Sequence, residues 1–534
     1  MFERRDVLKI GLGSVAAGIG GLFQPAGPLA GVAFAQSSPT PAPAPAPPPP
    51  PPGFALGDPT PFQPSLVTDA ARALAKGSFE PAPTDLPAAF RNLTYEQYVA
   101  IRGKPASALW ESEQLGFALE PLHRGFLFST RVDINIVVQG QARRLIYSPA
   151  LYDFGNLTVH GDIGDIGFSG FRILTPQDGK GFAEIATFQG ASFFRAVAQG
   201  QNPGTMARAL SIKTADPRGE EFPMIRTFWI EQPTLADDML VIHALIDSES
   251  VSGAYRFTLR PGEATIIDTE CTLIPRANVD NFGLATMSAT VVSDAIDHRR
   301  ADDVRLTLAE IGGVQMSTGS GEWIWRPTSN PETLQISTFV DQHPRGFGFL
   351  QRDREFDHYQ DDEQHWELRP SLWIEPIGDW GAGGVQLIEI PSDSEANDNI
   401  IAYWRPHDPL IAGNETSFAY RQFWCWYPPE QPALAIVTDT RAGRGSSGRR
   451  RRFLLEFTGD PLGDSHEVQV IKPMLSTTPG TIVSVREFPI PSTKVYRVLF
   501  EFDPGSETSS EMRLRLETAD GRPLSETWLY RWTR

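Results

Sequence analysis

An acidic segment, residues 392–399, and a glutamate far upstream are the groups in this sequence best suited to acid–base chemistry. The segment reads SDSEANDN and contains Asp398. A carboxylate on a loop held between two strands is a common position for a catalytic acid. Glu310 lies 88 residues earlier, just before Gly312-Gly313. Two carboxylates from distant segments could form an acid–base pair for glycoside cleavage, although the pattern alone does not single out these two among 65 acidic residues.

Residues 341–380 contain the densest mixture of charged and aromatic side chains. Carbohydrate clefts use this mixture, because planar rings stack on sugar faces and Arg or carboxylate groups bind hydroxyls. The alternative is a solvated loop with local ion pairs. His358, Asp361 and His365 could ligate a metal, but their spacing matches no helical pair or loop site, so no metal site is predicted.

Trp323 and Trp325 lie two residues apart on a strand pattern, which places both rings on the same side of the strand. Two indoles on one face can stack on sugar rings, and they can equally belong to a core. Arg326 falls on the opposite face and indicates that one side of the strand is solvated.

The composition is that of a soluble globular protein, with 41% hydrophobic and 21% charged residues. A formal net charge of −18 repels phosphate backbones and disfavours nucleic acid as a partner. The 47 glycines and 46 prolines favour strands and turns over helical bundles. Cys271 and Cys425 are the only cysteines, and they are as consistent with a disulfide as with two buried thiols.

The N-terminus is predicted to be a targeting signal rather than part of the fold. Arg4 and Arg5 precede an apolar run that ends in Ala33-Phe34-Ala35, which predicts a twin-arginine export signal over residues 1–35 and a periplasmic location. A membrane anchor is disfavoured because prolines interrupt the run. Residues 36–59 contain PTPAPAPAPPPPPP and are expected to form an extended polyproline linker.

Beyond the linker, the sequence predicts an all-β protein of two domains. Residues 70–77 and 94–102 are the best short helices, the second capped by Thr94. Strand patterns then follow at intervals of roughly 8–12 residues, as in a β-sandwich. We expect a large β-sandwich over residues 60–406, a connector at 407–417 and an immunoglobulin-like sandwich over 418–534.

Sequence blocks spread along the whole chain resemble one family. They include FSGFR (168–172), FQGASFFR (188–195), TFWIE (227–231), PRGFGFLQ (344–351), RPSLW (369–373) and LSETWLY (524–530). Together they resemble the OpgG/OpgD (MdoG) periplasmic glucan biosynthesis family, collinearly from about Thr60 to Tyr530. The twin-arginine signal favours a closer resemblance to OpgD than to OpgG.

The resemblance implies a large sandwich with a substrate cleft followed by an immunoglobulin-like domain. It also implies action on β-1,2-linked glucan as an inverting hydrolase or transglycosylase without a cofactor. The family's general acid is the Asp of an N-D-N-I segment, which here is Asp398. Its general base is the Asp of an H-D-S segment, and the aligned residue here is Glu310.

Two departures from the family pattern affect this assignment. Glutamate at 310 adds a methylene that shifts the carboxylate by about 1.5 Å, and a misplacement of that order can cost about 10²-fold in rate. Residues 285–291 read ATMSATV where the family usually has A-P-L-T-S-M-F. Two alternatives therefore stay open: a non-catalytic glucan-binding scaffold that assists a membrane glucan synthase, and a hydrolase retuned to another glucan.

For a glucan-processing enzyme, the residue types also predict a set of substrate-binding side chains. The expected sugar platforms and hydroxyl-binding residues are Trp323, Trp325, Tyr359, Trp373, Trp380, Arg195 and Arg352.

Overall fold

The computed structural model describes residues 54–104, 108–159, 163–177, 181–296, 302–463 and 470–534. The predicted export signal and the proline run at residues 39–52 lie outside these ranges. Within these ranges the chain forms three α-helices: α1 (Ser65–Lys76), α2 (Ala88–Arg91) and α3 (Tyr95–Val99). Thr94 caps α3 in a capping box with Gln97, as its sequence predicts. Within the described ranges, none of the helices combines the length and apolar character needed to cross a membrane.

Strands make up most of the remaining structure. The first eleven are β1 (Ala55–Leu56), β2 (Thr60–Pro61), β3 (Arg102–Gly103), β4 (Ala118–Leu122), β5 (Asp133–Val138), β6 (Gln141–Ile146), β7 (Tyr152–Asp153), β8 (Gly170–Gln177), β9 (Gly181–Gln189), β10 (Phe193–Ala196) and β11 (Met206–Arg208). The next eleven are β12 (Ser211–Ile212), β13 (Met224–Glu231), β14 (Leu240–Asp247), β15 (Val251–Arg260), β16 (Thr265–Pro275), β17 (Phe282–Ala289), β18 (Val291–Ser293), β19 (Leu308–Ala309), β20 (Gly313–Ser317), β21 (Trp323–Pro327) and β22 (Gln335–Gln342). The last twelve are β23 (Gly346–Leu350), β24 (Ser371–Ile377), β25 (Ala382–Glu389), β26 (Ile400–Pro406), β27 (Thr416–Cys425), β28 (Ile436–Arg444), β29 (Arg451–Thr458), β30 (Ile471–Thr478), β31 (Thr481–Ile490), β32 (Val495–Asp503), β33 (Ser509–Thr518) and β34 (Thr527–Thr533).

Two large sheets form the main sandwich. Over the described residues, the first has 16 strands in the order β1-β6-β5-β13-β14-β15-β16-β27-β24-β23-β20-β21-β34-β33-β30, with β2 also on β6. The second has ten strands in the order β22-β25-β26-β17-β11-β10-β9-β8-β4, with β12 also on β17. Side chains of both sheets meet in one core, where Ile242 and Phe257 of the first sheet join Phe171, Leu284 and Trp404 of the second. The all-β sandwich prediction is confirmed.

The C-terminal region forms a second layered unit. A four-stranded sheet, β28-β29-β32-β31, shares a core with the far end of the first sheet, in which Phe453 and Phe500 pack around Trp528. The parallel pair β21–β34 makes that end continuous with the large sheet. Strand β27, most of which falls after the expected boundary at residue 418, pairs with β16 and β24 inside the large sheet.

Candidate active site

The site lies on the outer face of the ten-stranded sheet, away from the sandwich core. Ala207 of β11 and Met287 of β17 are register partners that point into the core. Because side chains alternate along a strand, Arg208 and Ser288 point outwards. Arg195 of β10 points the same way, since its neighbour Phe194 is in the core. These polar groups are nevertheless mostly buried, so this part of the face has little contact with solvent.

Asp398 sits at the edge of this face, two residues before β26. The Ser288 hydroxyl donates to Asp398 Oδ2 at 2.7 Å. The next residue, Asn399, holds the loop: its Oδ1 accepts the Val291 N–H at 2.8 Å and its Nδ2 donates to the Val291 carbonyl at 2.9 Å. The Asp398 side chain is thereby fixed against the strand that follows Ser288.

Glu310 follows the short strand β19, which pairs with β18. The Thr290 N–H donates to Glu310 Oε2 at 3.1 Å, and the Glu310 N–H donates to the Thr290 carbonyl at 2.9 Å. Ser288 and Thr290 are two residues apart, about 6.6 Å along an extended chain. One short segment therefore holds both predicted carboxylates and sets their separation.

This holding segment belongs to residues 285–291, the stretch that departs from the family pattern. A β-bulge between Leu284 and Met287 interrupts the pairing of β17 with β26, and Ala285 adopts a left-handed backbone with φ of 49°. An alanine at positive φ is strained. The bulge adds a residue to β17 and so determines which of the following side chains point towards Asp398.

Three arginines surround the two carboxylates. Arg369 Nη1 lies 3.8 Å from Glu310 Oε1. The charges of Arg195 and Arg208 act on Asp398, and that of Arg195 also acts on Glu310. The cluster thus places cations beside two acids inside a region with little access to water.

Burial raises the pKa of both acids above that of an ordinary carboxyl. For Glu310, Arg369 opposes this rise in pKa and the charge of Asp398 adds to it. For Asp398, the bond from Ser288 and the charge of Arg208 oppose the rise in pKa. The exposed fractions are only 3% for Glu310 and 4% for Asp398. The arrangement can retain a proton at a pH where an exposed carboxyl has lost it, which is the requirement for a general acid.

A cavity of about 570 Å³ lies beside the pair. It is lined by Val292, Leu308, Asn330 and residues 391–395, together with the acidic segment around Arg305. Arg305 Nη1 pairs with Glu395 Oε2 at 2.7 Å and so connects two of the loops that line the cavity. Its position next to the loop of Asp398 makes it a candidate space for a bound chain.

Several predicted sugar platforms are core residues instead. Trp373 is fully buried, and Trp323 stacks on it with ring centroids 6.0 Å apart. Trp323 and Trp325 do share one side of β21, as predicted, and that side packs towards the C-terminal core. The expectation that Arg326 marks a solvated face was wrong. Arg326 is buried and pairs with the buried Glu389 at 3.0 Å, because the opposite side of β21 faces the other sheet.

Trp325, Arg352 and Tyr359 line a separate cavity of about 110 Å³, which reaches both neighbours of Glu310 in the sequence. The Arg352 guanidinium lies 3.6 Å from the Trp325 ring centroid and binds Glu526 at 2.6 Å, so its charge is already neutralised. The Tyr359 hydroxyl donates to the backbone of the same loop, at Asp353.

Trp380 is buried and donates from Nε1 to the Ala419 carbonyl at 3.1 Å. Of the seven predicted substrate-binding residues, Arg195 is the one that the structure brings to the carboxylate pair. Arg369 belongs to the charged and aromatic mixture of residues 341–380 that the sequence indicated as a possible cleft. The sequence reasoning missed the other groups around the pair: Arg208, Ser288 and Thr290. An arginine within the apolar run Met206-Ala207-Arg208-Ala209-Leu210 was the available signal, since a buried charge in a strand needs a reason.

Each candidate metal-binding histidine binds a carboxylate other than Asp361. His358 binds Asp353 at 2.7 Å and His365 binds Glu367 at 2.8 Å. Within the described part of the chain, no three His, Cys, Asp or Glu side chains form a group that could hold a metal. Cys271 and Cys425 are free and buried.

Comparison with known proteins identifies the family. The model of the periplasmic glucan biosynthesis protein MdoG matches residues 62–532. Glucans biosynthesis protein G of Vibrio cholerae serotype O1 is 42% identical over 477 residues, which cover 88% of this chain and 87% of the relative. The protein of the same name from Rhodopseudomonas palustris is 42% identical over 476 residues, covering 89% and 94%. Both relatives are named glucans biosynthesis protein G. The expected closer similarity of this chain to OpgD stays a prediction. The chain belongs to the MdoG family of periplasmic glucan biosynthesis proteins.

Proposed function

We propose that this chain is a periplasmic β-1,2-glucan-processing enzyme that cleaves or transfers glycosidic bonds with inversion, with Asp398 as general acid and Glu310 as general base. The observation that carries the proposal is the buried carboxylate pair itself. Both acids have raised pKa values because of burial, and Ser288 and Thr290, two residues apart in one segment, hold them. An inverting mechanism needs one protonated and one ionised carboxyl, with space for a water between them.

The identity of the substrate and the route to the periplasm rest on the family. The relatives are named for glucan biosynthesis, and the family resemblance implies a β-1,2-linked backbone. Paired arginines ahead of an apolar run support twin-arginine export. In the reaction, Asp398 protonates the leaving oxygen and Glu310 activates water or an acceptor hydroxyl. Arg369 and Arg195 stabilise the charge that remains on the pair.

A second candidate function is glucan binding without turnover, beside a membrane glucan synthase. The burial of both carboxyls favours it, because residues that are only 3% and 4% exposed offer a substrate little direct contact. The departure at Glu310 supports it as well.

The test uses the protein from Gln36 onwards with linear β-1,2-glucan, following chain length and new reducing ends. Asp398→Asn and Glu310→Gln are expected to lose turnover by at least about 10²-fold. Asp379→Asn, at an exposed turn, is the matched control and keeps the wild-type rate. Turnover that survives Asp398→Asn would refute the assigned acid. Glucan binding without turnover by the wild type would establish the scaffold instead.

A further inference from the structure

Arg208 has hydrogen-bonding capacity that the protein does not use. Its side chain is 2% exposed, and Nη1 donates to Glu220 at 2.6 Å. Within the described part of the chain, Arg208 Nε and Nη2 are buried without any hydrogen-bond partner. Buried donors are almost always paired, and an unpaired one costs free energy. Two such donors on one side chain point to a ligand that accepts from both.

The two free donors form one geometric unit. The N–H bonds of Nε and Nη2 run side by side along one edge of the planar guanidinium, which suits two neighbouring oxygen atoms. The Phe193 ring lies over the flat face, 4.6 Å from the guanidinium carbon. The Phe222 ring centroid is 5.7 Å from the same carbon. With the rings near the guanidinium carbon and Glu220 bound at Nη1, the Nε–Nη2 edge has no hydrogen-bond partner in the described protein.

This edge belongs to the same surface as the carboxylate pair. Arg208 pairs with Thr286 across β11 and β17, and Thr286 is two residues from Ser288, which holds Asp398. The separation along β17 is about 6.6 Å, roughly the length of one sugar unit. A glycosyl unit next to the bond at Asp398 would lie within reach of Arg208.

The surrounding charges favour a neutral ligand over an anion. Glu220 already neutralises Arg208 at 2.6 Å, and Glu184 pairs with Arg195 on the same sheet at 3.2 Å. The two carboxylates of the pair add further acidic groups nearby. A phosphate or carboxylate would bring a second negative charge into this setting, whereas a pair of hydroxyl oxygens brings none.

We propose that Arg208 binds the neighbouring O3 and O4 hydroxyls of one glucose unit and so selects glucans by linkage. The proposal deepens the proposed function and rests on it. A β-1,2-linked chain leaves O3 and O4 free on each internal unit, and a β-1,6-linked chain does the same. In a β-1,3-linked or β-1,4-linked chain one oxygen of this pair is consumed by the linkage. The guanidinium edge thus selects glucans whose internal units carry no glycosidic linkage at O3 or O4.

The test compares Arg208→Lys with the wild type on linear β-1,2-glucan. Lysine keeps the charge and the contact with Glu220 but lacks the paired donors. We expect KM to rise by about 10-fold or more, with kcat within about twofold. If the protein binds without turnover, the same change is read in Kd. Arg326→Lys is the matched control, a buried ion-paired arginine on the other sheet, and leaves KM unchanged. A β-1,6-glucan is expected to compete with β-1,2-glucan for the wild type but not for Arg208→Lys. A β-1,3-glucan is expected to compete for neither protein.

Other outcomes separate the possible failures. A wild type that processes or binds β-1,2-glucan while Arg208→Lys has the same KM or Kd overturns the role of Arg208 and leaves the proposed function intact. A wild type that neither binds nor processes this glucan overturns both. An equal loss in Arg326→Lys would assign the effect to packing and overturn the diol assignment. Inhibition by inorganic phosphate that disappears in Arg208→Lys would show that the edge is an anion site, which also overturns it.

Discussion

Shortening Glu310 to aspartate tests whether this protein depends on the longer side chain. The family pattern that the resemblance implies has an aspartate there, so sequence analogy alone predicts that Glu310→Asp is harmless or beneficial. The structure predicts the opposite. Glu310 Oε2 accepts the Thr290 N–H at 3.1 Å, and removal of one methylene withdraws the carboxylate by about 1.5 Å. Thr290 is buried, so its N–H would lose its partner without gaining water.

Two magnitudes follow from this withdrawal. An unpaired buried donor costs about 1–3 kcal/mol in the free energy of unfolding. A reacting group displaced by this distance costs about 10²-fold in rate. We therefore expect Glu310→Asp to unfold at lower urea and to process β-1,2-glucan about 10²-fold more slowly. Both are measured on the purified protein, by urea denaturation and by release of reducing ends. Unchanged stability with equal or faster turnover would refute the reasoning, because it would show that the Thr290 contact does not position the base.

Three further predictions concern buried groups. Glu310→Gln should raise the free energy of unfolding more at pH 8 than at pH 5. Burial raises the pKa of Glu310, so ionisation of Glu310 favours the unfolded state increasingly as pH rises, whereas an amide does not titrate. Urea denaturation at both pH values measures the difference, and a gain confined to pH 5 would contradict the prediction. Glu389→Ala should cost about 3–5 kcal/mol of unfolding free energy, since it leaves the buried Arg326 unpaired; a loss below 1 kcal/mol in the same assay would contradict it. Cys271 and Cys425 should resist thiol reagents until the protein unfolds, because burial raises the pKa of each thiol to about 12; rapid labelling of the native protein would disprove this.

The local elements of the fold follow from the sequence because short-range patterns determine them. The alternation in residues 265–273 predicts a strand, and β16 spans Thr265–Pro275 with alternating burial in its first part. The cap at Thr94 places α3 correctly. Strand β31 was not predicted, since most of its residues are exposed and it lacks a buried face to mark it. The position of β27 in the middle of the large sheet is set by pairing with β16 and β24, which no local pattern reports.

The candidate site could be predicted only in part. Asp398 and Glu310 come from matching sequence segments, whereas the platforms came from residue type, and an indole is as suitable for a core as for a sugar. Trp373 and Trp380 illustrate this ambiguity, since both rings are buried with protein neighbours. The structure identifies Ser288 and Arg208 through strand register, because the two residues are about 80 apart in sequence and lie on one face of the neighbouring strands β17 and β11, two register positions apart.

The two departures from the family pattern meet at the same contacts. Glu310 departs by one methylene, and residues 285–291 supply both the Ser288 hydroxyl that holds Asp398 and the Thr290 N–H that holds Glu310. The group that holds Glu310 is a backbone N–H, which every residue except proline supplies. Position 288 is a threonine in the family pattern A-P-L-T-S-M-F, so serine keeps the hydroxyl that bonds Asp398. Because the altered segment retains both bonds, its divergence is compatible with a working acid–base pair, and the length of the Glu310 side chain is the change that Glu310→Asp tests.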